Sequence, residues 1–139
     1  MKYGSLILEK KEYVYLKRIL NISEYTYDFE VQKSLHRFND EIKTAHIVDE
    51  TDMPIDIIRF NSKIKVRSEK GWEKTLQLVI PSEKDLKQDK ISILTPMGAA
   101  LFGYSEGDTL VWDFPTGKQK IKIVEVTQDK TCKKIDVPI

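Results

Sequence analysis

A single cysteine, Cys132, in a chain of 139 residues excludes an intramolecular disulfide and suits a reducing compartment. No apolar run reaches the roughly 18 residues that a membrane-spanning helix requires. The opening MKYGSLILEKKEY is too short in its apolar part for a secretory leader. The expected location is cytoplasmic, with no membrane contact. Charge of neither sign is in excess, because 23 basic and 22 acidic side chains leave a formal charge of +1. Without a surplus of cations there is no overall counterion-release force to hold a polyanion, so nucleic acid is not expected as the primary partner.

Signatures of catalysis are missing as well. The sequence holds no Gly-rich phosphate loop, no Gly-x-Ser-x-Gly elbow, no His-Glu-x-x-His and no paired cysteines. Its two histidines, His36 and His46, stand ten residues apart on one expected helix, roughly 280° around it, and cannot share a metal on a common face. His36 and Asp40, one turn apart, read as an exposed pair. No catalytic residue, metal or cofactor is expected, and the chain reads as a non-enzyme. Glu24 and Asp28 at an expected turn are the carboxylates best placed to meet a Mg²⁺ presented by another molecule, although a solvated turn carries the same two acids.

What is present is a change of periodicity along the chain. From about Lys10 to Val48 the pattern is helical, and Val31, Leu35, Phe38, Ile42 and Ala45 alternate steps of four and three as a heptad seam does. Tyr13, Leu16 and Leu20 form a shorter stripe on a first helix, and Asn21 to Tyr27 reads as the turn before a second helix from about Asp28. An antiparallel helical hairpin, a short coiled coil, is expected over 1–48. The tyrosines Tyr13, Tyr15, Tyr25 and Tyr27 read as packing at the hairpin and its tip. HIVDETDMPID, with Pro54 and four acids, reads as a connector.

Beyond it the period drops to two. Lys63 to Arg67 and Thr75 to Ile80 predict a β-hairpin around EKG. Ile91 to Leu94 reads as a short strand, and Leu6 to Leu8 as another strand or only a lead into the first helix. In TPMGAALFG, Thr95 can cap, Pro96 suits the first helical position and Gly103 a stop, so Pro96 to Phe102 is expected to be helical. Thr109 to Asp113 and Lys118 to Val126 predict two strands joined by FPTG. The shift of apolar residues from Ile121 and Ile123 to Val124 and Val126 implies a bulge or burial on both faces. The fold class is therefore α+β: a helical hairpin over 1–48, an antiparallel sheet domain with one short helix over 49–127, and a mobile tail over 128–139. The small residues Gly98, Ala99 and Ala100 allow either close approach of a partner to this helix or tight packing of the helix on its own sheet.

The stretch KDLKQDKISILTPMGAALFGYSEGDTLVWDFPTGKQKIKIVEV resembles the C-terminal domain of the GreA/GreB transcription elongation factors. Ile91, Ser92, Ile93, Thr95, Pro96, Leu101, Gly103, Gly107, Asp108, Pro115 and Gly117 stand where that family's pattern places them. MPIDIIRFNSKIKVRSEKG and the form P-M-G-A-A-L are similar to the family's short-coiled-coil branch, the regulator of nucleoside diphosphate kinase type. The likeness runs from about Met53 to Val126. It implies an FKBP-like domain that binds the rim of the RNA polymerase secondary channel as a monomer, with the hairpin directed into the channel. The contact segment it implies is Leu94, Thr95, Pro96, Met97 and Leu101, with Gly98 and Ala100 as small companions. Leu94 replaces the Asp or Asn frequent in the family, which favours an apolar anchor. At the hairpin tip, Glu24, Tyr25, Tyr27 and Asp28 in NISEYTYDFE do not reproduce the family's Asp-x-x-Glu-Asn type of tip. Docking in competition with Gre factors, without transcript cleavage, is the activity implied. Two other readings stay open: an adaptor for a protein of nucleoside diphosphate metabolism, and a prolyl isomerase of FKBP-like fold.

Overall fold

The computed structural model describes residues 2–22, 29–114 and 117–129. Strand β1 (Ile7–Glu9) runs directly into helix α1 (Lys10–Ile22), and helix α2 (Phe29–Ile42) is followed by strand β2 (His46–Val48). Of the two readings of Leu6 to Leu8, the strand is correct. It pairs in parallel with β2, Ile7 opposite His46 and Glu9 opposite Val48, and parallel neighbours need a long crossover. The helical segment between them is that crossover. The second helix is shorter than its heptad spacing predicts, and the first part of the expected connector is a strand. Lys43, Thr44 and Ala45 donate to carbonyls three residues back, which tightens and ends the helix. The β-branched pair Ile47 and Val48 then joins β1 instead of a further turn.

Leu16, Ile19 and Leu20 on α1 and Leu35, Phe38 and Ile42 on α2 are buried in one common core. Lys17 Nζ reaches Asn39 Oδ1 at 3.3 Å from one helix to the other. Of the expected tyrosines, Tyr13 and Tyr15 pack at the edge of this core, while Tyr25 and Tyr27 lie outside the described residues.

The main sheet has five strands: β3 (Lys63–Ser68), β4 (Glu73–Val79), β5 (Lys90–Ser92), β6 (Thr109–Phe114) and β7 (Gly117–Thr127), in the order β5-β4-β3-β7-β6. The β3–β4 and β6–β7 hairpins fall where the alternation puts them. The sheet is mixed and not wholly antiparallel, because β5 runs parallel to β4. The chain between them passes through two 3-10 turns, Pro81–Glu83 and Leu86–Gln88, and re-enters the sheet in the same direction. The bulge expected in the last strand is present: Lys65 pairs with Glu125 but Val66 with Ile123, leaving Val124 unopposed. Gln128 and Asp129, the first residues of the expected tail, are held. Gln128 donates to the carbonyls of Ile55 and Ile57, and Asp129 accepts from Gln77.

Ile64, Val66, Leu78, Ile121 and Ile123 on the inner face of the sheet, with Ile93 after β5 and Leu101 of the short helix packed beside them, lose all contact with solvent. A chain of rings ties both long helices to that face. Tyr15 of α1 meets Phe60 edge-on at 5.7 Å, Phe60 lies 4.9 Å from Phe102, and Phe102 lies 6.0 Å from Phe38 of α2. Gly103 follows at φ +86°, and a Cβ there would stand 3.1 Å from Leu6 and 3.2 Å from Leu8. A bare backbone at this point lets β1 cross over the end of the short helix.

Beside the rings lies an ionic cluster that runs from buried Glu9 and Glu12 through half-buried Arg59 to exposed Glu50. Glu9 accepts from the amides of Lys11 and Glu12 and so caps α1. Arg59 Nη2 is 2.9 Å from Glu12 Oε2, and its Nη1 is 2.6 Å from Glu50 Oε2. Burial works against the Arg59 charge, but Glu50 and Glu12 outweigh it and hold the guanidinium above its ordinary pKa. One cation serves several carboxylates. Burial pushes Glu12 up to about 7 despite Arg59, with Glu9 adding repulsion, and Glu12 Oε1 has no hydrogen-bond partner among the described residues. Because the folded pKa exceeds the ordinary value of 4.5, the native state holds a proton that the unfolded chain has lost between those two pH values. Stability from this group therefore falls as pH rises through that window and is flat above it. The expected size is about 3 kcal/mol. Glu12→Gln, which mimics the protonated form, should match the parent at pH 4.5 and exceed its stability at pH 7.5. Urea unfolding of both proteins across this range checks it, and parallel curves would refute the linkage.

Candidate functional site

The short helix expected at TPMGAALFG is α3 (Pro96–Leu101), one residue shorter than its sequence suggests. Ser92 and Thr95 set its start. Thr95 Oγ1 donates to the Ser92 carbonyl at 2.7 Å and accepts from the Gly98 amide at 3.1 Å, and Ser92 Oγ accepts from the Leu94 amide at 3.0 Å. Pro96 at the first turn has no N–H to leave unsatisfied.

The structure sorts the expected contact segment. Leu94, Thr95, Pro96, Met97 and Ala100 are half-buried, with the Thr95 hydroxyl engaged in the cap. Leu101 is not available to a partner: it is fully buried in the core, because its position on α3 points it at the sheet. Gly98 is buried as well. A Cβ there would stand 2.3 Å from the Ser92 carbonyl oxygen and 3.0 Å from Leu78 Cδ1. Of the two readings of the small residues, tight packing on the protein's own sheet is therefore correct for Gly98. The tip residues Glu24, Tyr25, Tyr27 and Asp28 lie outside the described residues. His36 is exposed, and Asp40 pairs with Lys43 at 3.3 Å rather than with His36. No three His, Cys, Asp or Glu side chains among the described residues are arranged to hold a metal. No helix among them is long and apolar enough to cross a membrane.

The exposed side of α3 opens on a shallow groove of about 50 Å³ between α2, α3 and β6. Pro96, Ala99 and Ala100 form one wall, Leu110, Val111 and Trp112 another, and Arg37, Phe38, Glu41 and Tyr104 close it. Arg37 Nε stands 3.4 Å from Glu41 Oε1 one turn away. Burial lifts the Glu41 carboxyl above its ordinary pKa, opposed by Arg37. Burial likewise lifts the Tyr104 phenol, and the Glu41 charge adds to it. Val111 is 50% exposed. The groove thus offers a contact surface of small and apolar side chains with one polar pair at its rim. Sequence reasoning missed Arg37, Glu41, Tyr104, Val111 and Trp112. Two signals were available: the four-residue spacing of Arg37 and Glu41, and an apolar Val111 where the β6 alternation calls for a polar residue.

Fold and site define an α+β protein in which a helical segment is seated on a five-stranded sheet and a capped six-residue helix borders an open groove. Residues 52–128 match the family described as "Transcription elongation factor, GreA/GreB, C-term". The transcription elongation factor GreA of Anaeromyxobacter sp. is 37% identical over 86 residues, which are 61% of this chain and 52% of that protein. GreA of Christiangramia forsetii is 29% identical over 100 residues, 71% of this chain and 63% of that protein. The regulator of nucleoside diphosphate kinase of Escherichia coli is 32% identical over 80 residues, 57% of this chain and 59% of that protein. Among solved structures, a GreA/GreB transcription elongation factor from Nitrosomonas europaea superposes with a TM-score of 0.71 at 30% identity, covering 89% of this chain and 98% of that one. The chain belongs to the GreA/GreB family. It spans between half and two thirds of the length of these curated relatives.

The packing reading of α3 has a direct test. Gly98→Ala places a methyl group against a backbone oxygen and should cost about 2 kcal/mol or more. Leu101→Ala should cost about 2–5 kcal/mol as a core truncation. Ala100→Ser, at the groove, should be nearly neutral. Urea unfolding of the three variants gives the order, and a neutral Gly98→Ala would contradict it.

Proposed function

We propose that this protein is a non-enzymatic transcription regulator that docks on RNA polymerase at the rim of the secondary channel and competes there with Gre factors. The observation that carries this reading is the family match over residues 52–128, which contains the whole α3 segment and the two walls of the groove that α3 and β6 supply. In this reading the C-terminal unit is an FKBP-like domain and contributes the docking face. Met97 and Ala100 are its accessible residues on α3, while Leu101 holds the helix from within. The monomer acts in the cytoplasm, without a cofactor.

In the same reading α1 and α2 form a short hairpin directed into the channel. With 13 and 14 residues, each arm is about 20 Å long at 1.5 Å per residue. Both arms being short strengthens the argument from reach, since helices of about thirty residues would extend near 45 Å. Carboxylates at Glu24 and Asp28 would stop well short of a catalytic Mg²⁺, whose ligands stand about 2 Å away. The protein is therefore expected to occupy the channel without stimulating cleavage of backtracked RNA. The similarity to the regulator of nucleoside diphosphate kinase supports a second reading, an adaptor for another cytoplasmic protein. Capture of purified core polymerase discriminates between the two.

Met97→Asp or Ala100→Asp sets an unpaired charge in a desolvated contact and should weaken polymerase binding by at least about tenfold. Circular dichroism must show that each variant is folded. Parental affinity in both would remove α3 from the interface. On a gel of labelled RNA from a backtracked complex, the protein alone should release no cleavage product, and titration against a Gre factor should suppress that factor's product. Cleavage by the protein alone that vanishes in Glu24→Ala/Asp28→Ala would restore a catalytic tip.

A further inference from the structure

Strand β7 lies inside the sheet, between β3 and β6, so charged side chains on it do not serve to guard an edge. Its outward positions carry Lys118, Lys120 and Lys122, all exposed, alternating with buried Gln119, Ile121 and Ile123. Steps of two residues space the three ammonium stems about 7 Å apart along a line. None of the three enters an ion pair among the described residues. Other lysines of the sheet do: Lys63 with Asp129 at 4.0 Å, Lys65 with Glu73 at 3.3 Å and Lys74 with Asp89 at 3.5 Å. Directly opposite Lys122 stands Arg67, a like charge whose placement lowers stability and which is itself held by Glu73 at 2.7 Å. Opposite Lys120 stands the exposed Val111, and opposite Lys118 stands Asp113, the one acid in register with the row. Glu69 reaches this part of the sheet, where its carboxylate accepts from the Lys120 amide at 3.0 Å.

Alternation in a half-buried strand calls for polar residues at these positions; it does not call for three lysines in a row beside an arginine. We infer that the row Lys118, Lys120, Lys122 is a contact for the phosphate backbone of one nucleic-acid strand, held without regard to base sequence. The charges are regular and point-like, as repeated phosphates require. The row lacks the central aromatic or aliphatic cluster that an acidic protein surface would need as an anchor, Val111 being its one apolar neighbour. The near-neutral total of +1 conceals the row, because the total says nothing of how charges are grouped along one strand. It faces away from the core and meets the groove only at Val111, opposite Lys120, and the contact goes beyond the docking reading because none of the three lysines lines the groove.

The test uses the full chain without polymerase and follows the fluorescence anisotropy of a labelled single-stranded RNA of mixed sequence. Binding should fall roughly 20-fold between 50 and 200 mM salt, a log–log slope near −2 for three phosphate contacts. It should be insensitive to base sequence. Lys118→Gln/Lys120→Gln/Lys122→Gln should abolish it with the circular dichroism spectrum unchanged. Lys63→Gln/Lys65→Gln/Lys74→Gln makes the same change in net charge and should lower affinity only a few-fold. Equal losses in the two triple variants would overturn the proposal, as would no binding at about 0.1 mM protein, the weak end of non-specific association. Labelled poly-glutamate bound more tightly than RNA would overturn it in favour of an acidic protein partner.

Discussion

The contact between Phe60 and Phe102, 4.9 Å apart, is the join on which the molecule depends. Phe60 precedes β3 and receives Tyr15 from α1, while Phe102 ends α3 and receives Phe38 from α2. Edge-on aromatic pairs of this kind add to the burial of their own area. Leu16 and Leu20 of α1 and Leu35 and Ile42 of α2 are buried in the same core around the rings. The Arg59 cluster next to Phe60 fixes the entry of α1 from the polar side, so position along the chain and direction of the helix are set by neighbouring residues. Truncating either ring would loosen both helices together.

The groove follows from the same join. Phe38 both packs on Phe102 and closes the groove floor, and α3 is held from beneath by Gly98 and Leu101. The side chains facing outward from α3 are therefore carried on a rigid support. A surface of small residues over a fixed helix has little conformational freedom to lose in any contact made there.

Local order was legible in the sequence where its causes are local. The two β-hairpins, the capped start at Thr95 and the bulge at Val124 all arise from residues within a few positions of one another. What escaped depends on distance. The parallel β1–β2 pair joins residues on either side of two helices, and Ala45, which continues the heptad, gives no sign that the chain leaves the helix at Ile42. The direction of β5 is decided by the path of the loop before it. Glu9, Glu12, Glu50 and Arg59 are four unremarkable surface-type residues until the fold brings them together. At Gly98 the sequence supports approach and packing equally, and only the position of the Ser92 oxygen decides.

The ring join also sets an order of assembly. A ribosome delivers α1 and α2 before the residues that cover them, and Phe102 emerges about 60 residues after the end of α2 at Ile42. At 5–20 residues per second this leaves several seconds in which the stripes of Leu16, Leu20, Leu35 and Phe38 have no sheet to rest on. Helices of 13 and 14 residues are marginal on their own in water. The first third of the chain thus waits for the rest, and until Phe102 and the later strands β6 and β7 emerge its apolar stripes are open to chaperones.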